Sequence, residues 1–166
     1  PFAGKRVTVC IHLEAKTAYL ALVLRAGGAT VSVTGSNPES TKDDVVAALA
    51  AEGLHVYARH GASPEEMRRY MSIALELQPH VVIDDGGDLV ELLHESQRQH
   101  GEEMLGACEE TTSGVLRARA RAKAGQLRFP VMLVNDARCK YLFDNVHGTG
   151  QSAWDAVMRS TNLVLA

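Results

Sequence analysis

The sequence predicts an α/β fold, Rossmann-like (flavodoxin-like), in which helices cover both faces of a mostly parallel sheet in three layers. Short β-rich runs alternate with helical segments of about 10 to 15 residues, which is typical of βαβ units. The length of 166 residues suits one ordinary domain, and a chain with 46% hydrophobic and 22% charged residues has the composition of a globular protein.

Each element is predicted from its own local pattern. The strands are short β-branched runs bounded by turn residues, at residues 7–11, 29–35, 54–58, 80–85 and 130–136. The helices have apolar residues at helical spacing, at residues 14–25, 40–53 and 63–77 and from about Ser152 into 162–166. The residues after 85 and before 130 are predicted as helix or loop.

The predicted helix ends carry recognisable signals. A Gly-Gly pair stops the first helix, and Ser40 or Thr41 is the predicted N-cap of the second. Ser63 is the predicted N-cap of the third helix, with Pro64 at its first helical position. These signals support helices between the strands.

Polar residues follow four of the predicted strands. They are His12, Asn37, Asp85 and Asn135. In open α/β sheets, ligands bind in the crevice beyond the carboxyl ends of the strands. We therefore expect these four residues to lie at one edge of the sheet, near a common site.

The end of the fourth strand, Asp84-Asp85-Gly86-Gly87, has two interpretations. One is an N-cap for the next helix, which is a common use of aspartate. The other is a site, because glycines let a ligand or another backbone come close. Residues 108–114 are likewise open to interpretation as a capping arrangement before a helix at 115–125. His12, taken alone, fits a hydrogen-bonded structural histidine.

A short glycine motif near the end of the chain is a weaker signal. Residues 148–153 match the dinucleotide fingerprint G-x-G-x-x-A, but they do not follow a predicted strand. We interpret them as a loop that opens the last helix.

Composition indicates which partners are not expected. The net charge of −3 gives no indication of nucleic-acid binding. Three cysteines are too few and too scattered for a disulfide framework or a zinc site, so we expect no metal and a reducing, cytoplasmic location. An apolar run of about 18 residues is missing, so no membrane partner is expected.

Six motifs occur along the chain in a characteristic order. They are IHLEAKTA, GSNPESTKDD, DDGGDLV, EETTSG, VNDARCKYLFDN and GTGQSAWDAVMRSTNLVLA. In these motifs the chain resembles the S-adenosyl-L-homocysteine hydrolase family over essentially its whole length. The resemblance implies a substrate-binding domain at residues 1–150 and, at 151–166, a helix leading toward an NAD-binding domain. We expect the isolated chain to be catalytically incomplete.

The resemblance also implies a reaction. The thioether of S-adenosyl-L-homocysteine is hydrolysed to adenosine and homocysteine, as a step of one-carbon metabolism in the S-adenosylmethionine cycle. The ribose is oxidised transiently at C3′ with NAD as cofactor, homocysteine is eliminated, water adds, and C3′ is reduced again. The expected partner is a small-molecule nucleoside thioether, and the full-length enzyme is expected to be a homo-oligomer.

Residue roles follow from the same resemblance. Catalytic roles fall on His12, Asp85, Lys140, Asp144 and Asn145. Substrate contacts fall on Glu14, Lys16, Glu110, Lys140 and Asp144. Contacts to NAD fall on Thr111, Thr112, Ser113 and Asn145. His12 and Asp85 are expected around C4′ and the 5′ position, Glu110 at the ribose hydroxyls, and Lys140 with Asp144 at the 3′-hydroxyl.

Spacing gives independent support to one of these pairs. Lys140 and Asp144 are four residues apart, so both side chains lie on one face if the segment is helical. A lysine in a water-poor site can have a lowered pKa and act as a base. A plain exposed helix salt bridge would have the same spacing.

The substrate base remains open. Glu14 would accept a hydrogen bond from the amino group of adenine, whereas Lys16 is a donor and would suit the 6-oxygen of hypoxanthine. S-inosyl-L-homocysteine is therefore a second possible substrate. Two further functions stay open: a stand-alone nucleoside-binding module without catalysis, and an inactive homologue that acts by contact with a partner.

Overall fold

A computed structural model describes residues 1–164 of the chain. Strands β1 to β6 are Arg6–Ile11, Thr30–Gly35, His55–Tyr57, Val81–Asp84, Gly106–Glu109 and Val131–Leu133. Helices α1 to α6 are Ala15–Ala26, Asp43–Ala51, Pro64–Leu75, Asp88–His94, Thr112–Lys123 and Gly150–Thr161. Two 3₁₀-helices, Arg98–Gly101 and Val134–Asp136, and a π-helix, Lys140–Thr149, complete the order.

The strands form one parallel sheet in the order β3-β2-β1-β4-β5-β6. This confirms the predicted Rossmann-like α/β class. The order is that of the dinucleotide-binding Rossmann fold rather than the flavodoxin-like 2-1-3-4-5. The strand order reverses between β1 and β4, where the register pairs Cys10 with Asp84. The crevice expected of this fold lies beyond the carboxyl ends of these two strands.

Both faces of the sheet are buried, as expected of parallel strands covered by helices. Neighbouring residues of β1 serve opposite faces. Val9 packs with α1 and α2, and Cys10 packs with α3 and α4. The two central strands, β1 and β4, are therefore covered by packed helices on both faces of the sheet. Within residues 1–164, no helix combines the length and the apolar character needed to cross a membrane.

Strand β5 is absent from the sequence prediction. Its four residues, Gly106–Glu109, include a glycine and a glutamate, which have low strand propensity. Backbone pairing with β4 on one side and β6 on the other holds the strand in the sheet. The capping interpretation of residues 108–114 is confirmed in part, because Thr111 accepts a hydrogen bond from the Gly114 amide at the start of α5.

Two boundaries near the site also differ from prediction. The N-cap of α2 is Lys42, which makes no side-chain cap bond, rather than Ser40 or Thr41. The strand predicted at 130–136 is shorter, because Val134–Asp136 forms a 3₁₀-helix. At the start of α2, the Ser40 and Thr41 hydroxyls donate to the Asn37 carbonyl instead of capping the helix.

The C-terminal segment differs from prediction more strongly. The glycine motif at 148–153 is helical rather than a loop, since the π-helix runs directly into α6. Helix α6 ends at Thr161, where Asn162 takes a left-handed conformation with φ 56°. The predicted extension into 162–166 was therefore wrong for residues 162–164, and its last two residues lie outside the described residues.

The predicted start of α3 is confirmed. The Ser63 hydroxyl accepts from the Glu66 amide at 3.2 Å, and the Glu66 carboxylate accepts from the Ser63 amide at 2.8 Å. Pro64 occupies the first turn. The two reciprocal bonds satisfy amides that the helix itself leaves without partners.

Asp84 confirms the capping interpretation of the fourth strand end, whereas its neighbour Asp85 has a different environment. The side chain is fully buried, and its two oxygens accept from the Val90 amide at 2.9 Å and the Asp85 amide at 3.1 Å. The N-cap position of α4, Gly87, has no side chain to do this. Burial raises the pKa of Asp84 to about 8; the bond from Val90 opposes the rise and the charge of Glu109 adds to it.

We expect Ser63→Ala to lower the free energy of unfolding by about 1 kcal/mol, because the Glu66 amide loses its partner. Thermal unfolding of the full-length protein measures the change. Lys42→Ala is the matched control, since Lys42 holds the N-cap position of α2 without a side-chain bond. Equal unfolding midpoints for the two variants would contradict this account of α3.

We expect Asp84→Asn to gain stability relative to the wild type as pH rises from about 4 to about 8. The folded pKa of about 8 lies above the ordinary value of 3.8, so the folded state holds a proton that the unfolded state has lost across this window. Folding therefore loses stability as pH rises, and asparagine cannot ionise. Unfolding midpoints across the window test this. Glu102→Gln, at an exposed acid in another segment, is the control. Parallel profiles for Asp84→Asn and wild type would exclude the raised pKa.

Candidate functional site

His12 and Asp85 face each other at the point where the strand order reverses. His12 directly follows β1 and Asp85 directly follows β4, and His12 Nε2 lies 3.3 Å from Asp85 Oδ2. The Asp85 side chain is 7% exposed and that of His12 is 51% exposed. The pair thus joins a buried carboxylate to an imidazole that solvent and small molecules can reach.

The loop after β2 holds both members of this pair. The Ser36 hydroxyl donates to Asp85 Oδ2 at 2.7 Å, and Ser40 Oγ lies 2.6 Å from His12 Nδ1. The Ser40 hydroxyl also donates to the Asn37 carbonyl at 3.3 Å. A hydrogen bond between His12 and the Asp85 carboxylate requires the proton to be on Nε2, because the carboxylate oxygen can only accept.

Sequence reasoning did not identify these serines as site residues. Ser40 was predicted as an N-cap, because a hydroxyl ahead of a helix has that use more often. Ser36 directly follows the second predicted strand, but only Asn37 was predicted at the site from that segment. The only indication of a role for these serines was their position in the chain, because the loop after β2 borders the end of β1 in any Rossmann sheet.

The other two residues predicted at this edge make local contacts. Asn37 and Asn135 follow parallel strands and lie at the same end of the sheet as His12 and Asp85. The Asn37 side chain accepts from the Glu39 amide at 2.8 Å, and that of Asn135 donates to Asp136 at 3.3 Å. The shared edge was therefore predicted correctly, but the contact joins only His12 and Asp85 among the four.

A cleft opens beside His12. Its volume is about 290 Å³, and its lining comprises Ile11, His12, Glu14, Lys16, Thr17, Leu20 and Glu110. The side chains of Glu14 and Lys16 are exposed at its rim. All four residues that the sequence predicted for this side of the site, His12, Glu14, Lys16 and Glu110, thus share one cavity.

Glu110 is the half-buried carboxylate of the cleft. Burial raises its pKa, and the negative charge of Asp85 raises it further, whereas Lys140 and His12 act in the opposite direction. A carboxyl group so placed can accept hydrogen bonds from hydroxyl groups of a ligand, or donate one when protonated.

Lys140 reaches the same region from the C-terminal side. Its Nζ donates to the Glu110 carbonyl at 3.1 Å and lies 3.8 Å from Asp144 Oδ2. This confirms that Lys140 and Asp144 share one face. Asn145 is exposed on the π-helix. The structure brings Lys140 to the cleft and Asp144 to Lys140, but within residues 1–164 it gives Asn145 no hydrogen bond with the other site residues.

The hydroxyl run at the start of α5 divides into two parts. The Thr111 hydroxyl donates to Glu109 Oε1 at 2.7 Å and accepts from the Gly86 amide at 2.9 Å and the Gly114 amide at 3.2 Å. Its hydrogen-bonding capacity is used within the chain. Thr112 and Ser113 are exposed in the first turn, so their hydroxyls can contact a ligand.

The chemistry of these groups is proton transfer and recognition of polar ligands. A histidine beside a buried carboxylate and a lysine beside an aspartate are acid–base pairs of the kind that catalysis uses. Within residues 1–164, three or more metal-binding side chains do not cluster. The groups that meet at the cleft are suited to acid–base work on a polar organic ligand.

Comparison with known proteins agrees with the motifs. The family model for S-adenosyl-L-homocysteine hydrolase matches residues 1–105 and 97–166. The chain is 55% identical over 166 residues to an adenosylhomocysteinase of Pyrococcus abyssi and 51% identical over the same length to one of Thermotoga maritima. It is also 51% identical over 166 residues to an S-inosyl-L-homocysteine hydrolase of Methanocaldococcus jannaschii.

These alignments cover 100% of this chain but only 39%, 41% and 40% of the three relatives, in that order. The chain thus spans about two-fifths of the length of the curated relatives it matches. Because the two family matches together extend from the first residue to the last, the chain belongs to the S-adenosyl-L-homocysteine hydrolase family.

Proposed function

We propose that the full-length protein hydrolyses the thioether of S-adenosyl-L-homocysteine to adenosine and homocysteine. Residues 1–150 would bind the substrate, and 151–166 would lead toward an NAD-binding domain. The observation that carries the proposal is that His12 pairs with Asp85 where the strand order reverses and shares a cleft with Glu110. Relatives named adenosylhomocysteinase at 51% and 55% identity support it.

His12 and Asp85 would handle the proton at C4′ and the water that adds at the 5′ position. Asp85 Oδ2 already accepts from Ser36 and lies next to His12 Nε2, so the pair is oriented before substrate binds. Such preorganisation lowers the cost of reaching the transition state. Glu110 would hold the ribose hydroxyls from the neighbouring strand end.

Lys140 and Asp144 would act at the 3′-hydroxyl, with Asn145 as their polar neighbour. Lys140 is the nearer group, because its Nζ is already bonded at the cleft to the Glu110 carbonyl. A base at this position takes the hydroxyl proton as the carbon is oxidised. Asp144 would keep the Lys140 head group in place.

NAD is the cofactor we infer, and it supplies the transient oxidation of C3′ when bound. Thr112 and Ser113 fit this cofactor because their hydroxyls are exposed at the N-terminus of α5. Thr111 is the third residue of this run that we propose at the cofactor, beside Thr112, although its hydroxyl and its amide both donate to Glu109. Asn145 would approach from the π-helix. We also propose a homo-oligomeric, cytoplasmic full-length enzyme whose substrate is the small nucleoside thioether.

A second candidate has support for the purine base of the substrate, namely hypoxanthine in place of adenine. Glu14 would accept from the 6-amino group of adenine, and Lys16 would donate to the 6-oxygen of hypoxanthine. Both lie at the rim of the cleft, and the S-inosyl-L-homocysteine hydrolase of Methanocaldococcus jannaschii is 51% identical to the chain. We favour adenine, with hypoxanthine as the second candidate and nucleoside binding without catalysis as the third.

We expect Asp85→Asn and Lys140→Ala to lower turnover by about 10²- to 10⁴-fold while the fold survives, because each removes a positioned acid or base. Release of homocysteine thiol by the full-length, NAD-loaded protein at saturating S-adenosyl-L-homocysteine is the measurement.

Asp88→Asn is the matched control for these variants. Asp88 lies close to Asp85 in the chain but pairs with Arg117 on the surface. Wild-type turnover in both Asp85→Asn and Lys140→Ala would remove the proposed roles. Failure of the wild type to release homocysteine from either thioether would leave nucleoside binding without catalysis.

We expect Glu14→Gln to lower kcat/KM for S-adenosyl-L-homocysteine by about tenfold or more, since a hydrogen bond to a charged group is worth about 1.5 to 3 kcal/mol. The loss should be smaller for S-inosyl-L-homocysteine, and Lys16→Ala should show the opposite pattern. Parallel assays of both substrates decide the matter. If Glu14→Gln changed both substrates equally, Glu14 would not read the base, and a wild-type preference for the inosyl substrate would favour the inosyl-specific enzyme.

A further inference from the structure

Glu109 is a buried acid for which the proposed reaction has no role. It is the last residue of β5, and only 1% of its surface is exposed. Its Oε1 accepts from the Gly86 amide at 2.9 Å, the Thr111 amide at 2.9 Å and the Thr111 hydroxyl at 2.7 Å. Three donors from two different loops thus converge on one oxygen.

These donors lie directly beside two acids of the site, Asp85 and Glu110. Gly86 follows Asp85 in the loop after β4, and Thr111 follows Glu110 in the loop after β5. The Gly86 amide also donates to the Thr111 hydroxyl at 2.9 Å, which closes a ring of hydrogen bonds between the loops. The Glu109 carboxyl group is thus hydrogen-bonded to the backbone next to both Asp85 and Glu110.

Two glycines make this arrangement possible. Gly86 has φ +98°, a left-handed conformation that side chains rarely adopt, and this turns its amide toward Glu109. At Gly114, a Cβ atom would clash with Cδ of Glu109, so only glycine leaves room for the carboxylate. Both glycines are thereby explained by the position of one side chain.

Stability alone does not account for a buried acid here. Oε2 is buried and has no hydrogen-bond partner within residues 1–164. Burying an acid that has one unpaired oxygen costs free energy of desolvation, which its three hydrogen bonds must offset. An acceptor that collects three donors is instead suited to fixing the relative position of two loops.

We propose that Glu109 is a positioning residue that holds the Asp85 loop and the Glu110–Ser113 loop in one fixed arrangement. The proposal rests on the proposed function, because it assigns Glu109 to the same reaction. Glu109 acts through its neighbours: it sets where Asp85 and Glu110 meet the ribose and where α5 presents Thr112 and Ser113. Loss of the bridge separates the substrate side of the site from its cofactor side.

The test uses the full-length, NAD-loaded protein with three variants. Glu109→Ala removes the bridge. Glu109→Gln keeps a carbonyl oxygen for the Gly86 and Thr111 amides but places an amide group where Oε2 finds no partner. Gly114→Ala keeps the charge and displaces the carboxylate by its new methyl group. Glu102→Gln, at an exposed acid outside the site, is the control.

We expect kcat to fall about 100-fold in Glu109→Ala, the cost of misplacing catalytic groups by about 1 Å, with a smaller change in KM. Gly114→Ala should show a comparable fall despite its unchanged charge. Glu109→Gln should recover most of the turnover while its unfolding midpoint stays below that of the wild type. A purely structural residue would instead make turnover follow the unfolding midpoint across the three variants.

Amide hydrogen exchange gives a second readout that does not depend on catalysis. Exchange should accelerate in Glu109→Ala and Gly114→Ala at residues 84–88 and 110–114 together, and not in α2. If Glu109→Ala fails to fold, the other two variants carry both readouts.

Wild-type kcat in Glu109→Ala and Gly114→Ala, with Asp85→Asn impaired, would overturn this inference and leave the proposed function intact. A wild-type protein that hydrolyses neither thioether would instead overturn the proposed function and the catalytic role of Glu109. In that case, exchange that stays unchanged or rises in one loop alone would refute the bridge as well.

Discussion

The reversal of strand order between β1 and β4 is the constraint on which the site depends. From these neighbouring strands the chain leaves toward opposite sides of the sheet, and the carboxyl ends of both remain open. His12 and Asp85 are the first residues beyond those ends and meet there at 3.3 Å. The loop after β2 then closes over the pair with Ser36 and Ser40. Topology thus brings together two residues that lie far apart in sequence.

The second organising feature is a repeated division of labour between adjacent acids. In both Asp84-Asp85 and Glu109-Glu110, the first acid is fully buried and accepts backbone amides. The second acid belongs to the site, because Asp85 pairs with His12 and Glu110 lines the cleft. Alternation along a strand produces this, because neighbouring side chains point to opposite sides. The buried acid of each pair anchors the loop that carries its neighbour. The raised pKa of Asp84 keeps it largely protonated near neutral pH, which limits repulsion among the four carboxyl groups.

Sequence patterns predicted the fold where local and tertiary preferences agree. Val7, Val31 and Val82 lie in apolar runs that were predicted as strands and are strands, and the Ser63 capping box is a purely local signal. Strand β5 was not predicted, because backbone pairing with β4 and β6, and not intrinsic strand propensity, holds it in the sheet. Nor could the sequence say which of Asp84 and Asp85 caps the next helix, since that depends on the phase in which β4 enters the sheet.

The two sides of the site differ in how firmly the chain holds them. One side of the site directly follows strands of the sheet and comprises His12, Asp85 and Glu110. The other side, Lys140 and Asp144, lies on a π-helix that has no buried residue. Elements with few buried contacts open at low free energy. On the proposed mechanism, the groups at C4′ and the 5′ position are ready before binding, and those at the 3′-hydroxyl are ordered by the ligand. The Lys140 bond to the Glu110 carbonyl is then the link between them, because it joins the looser segment to the strand end that Glu109 fixes.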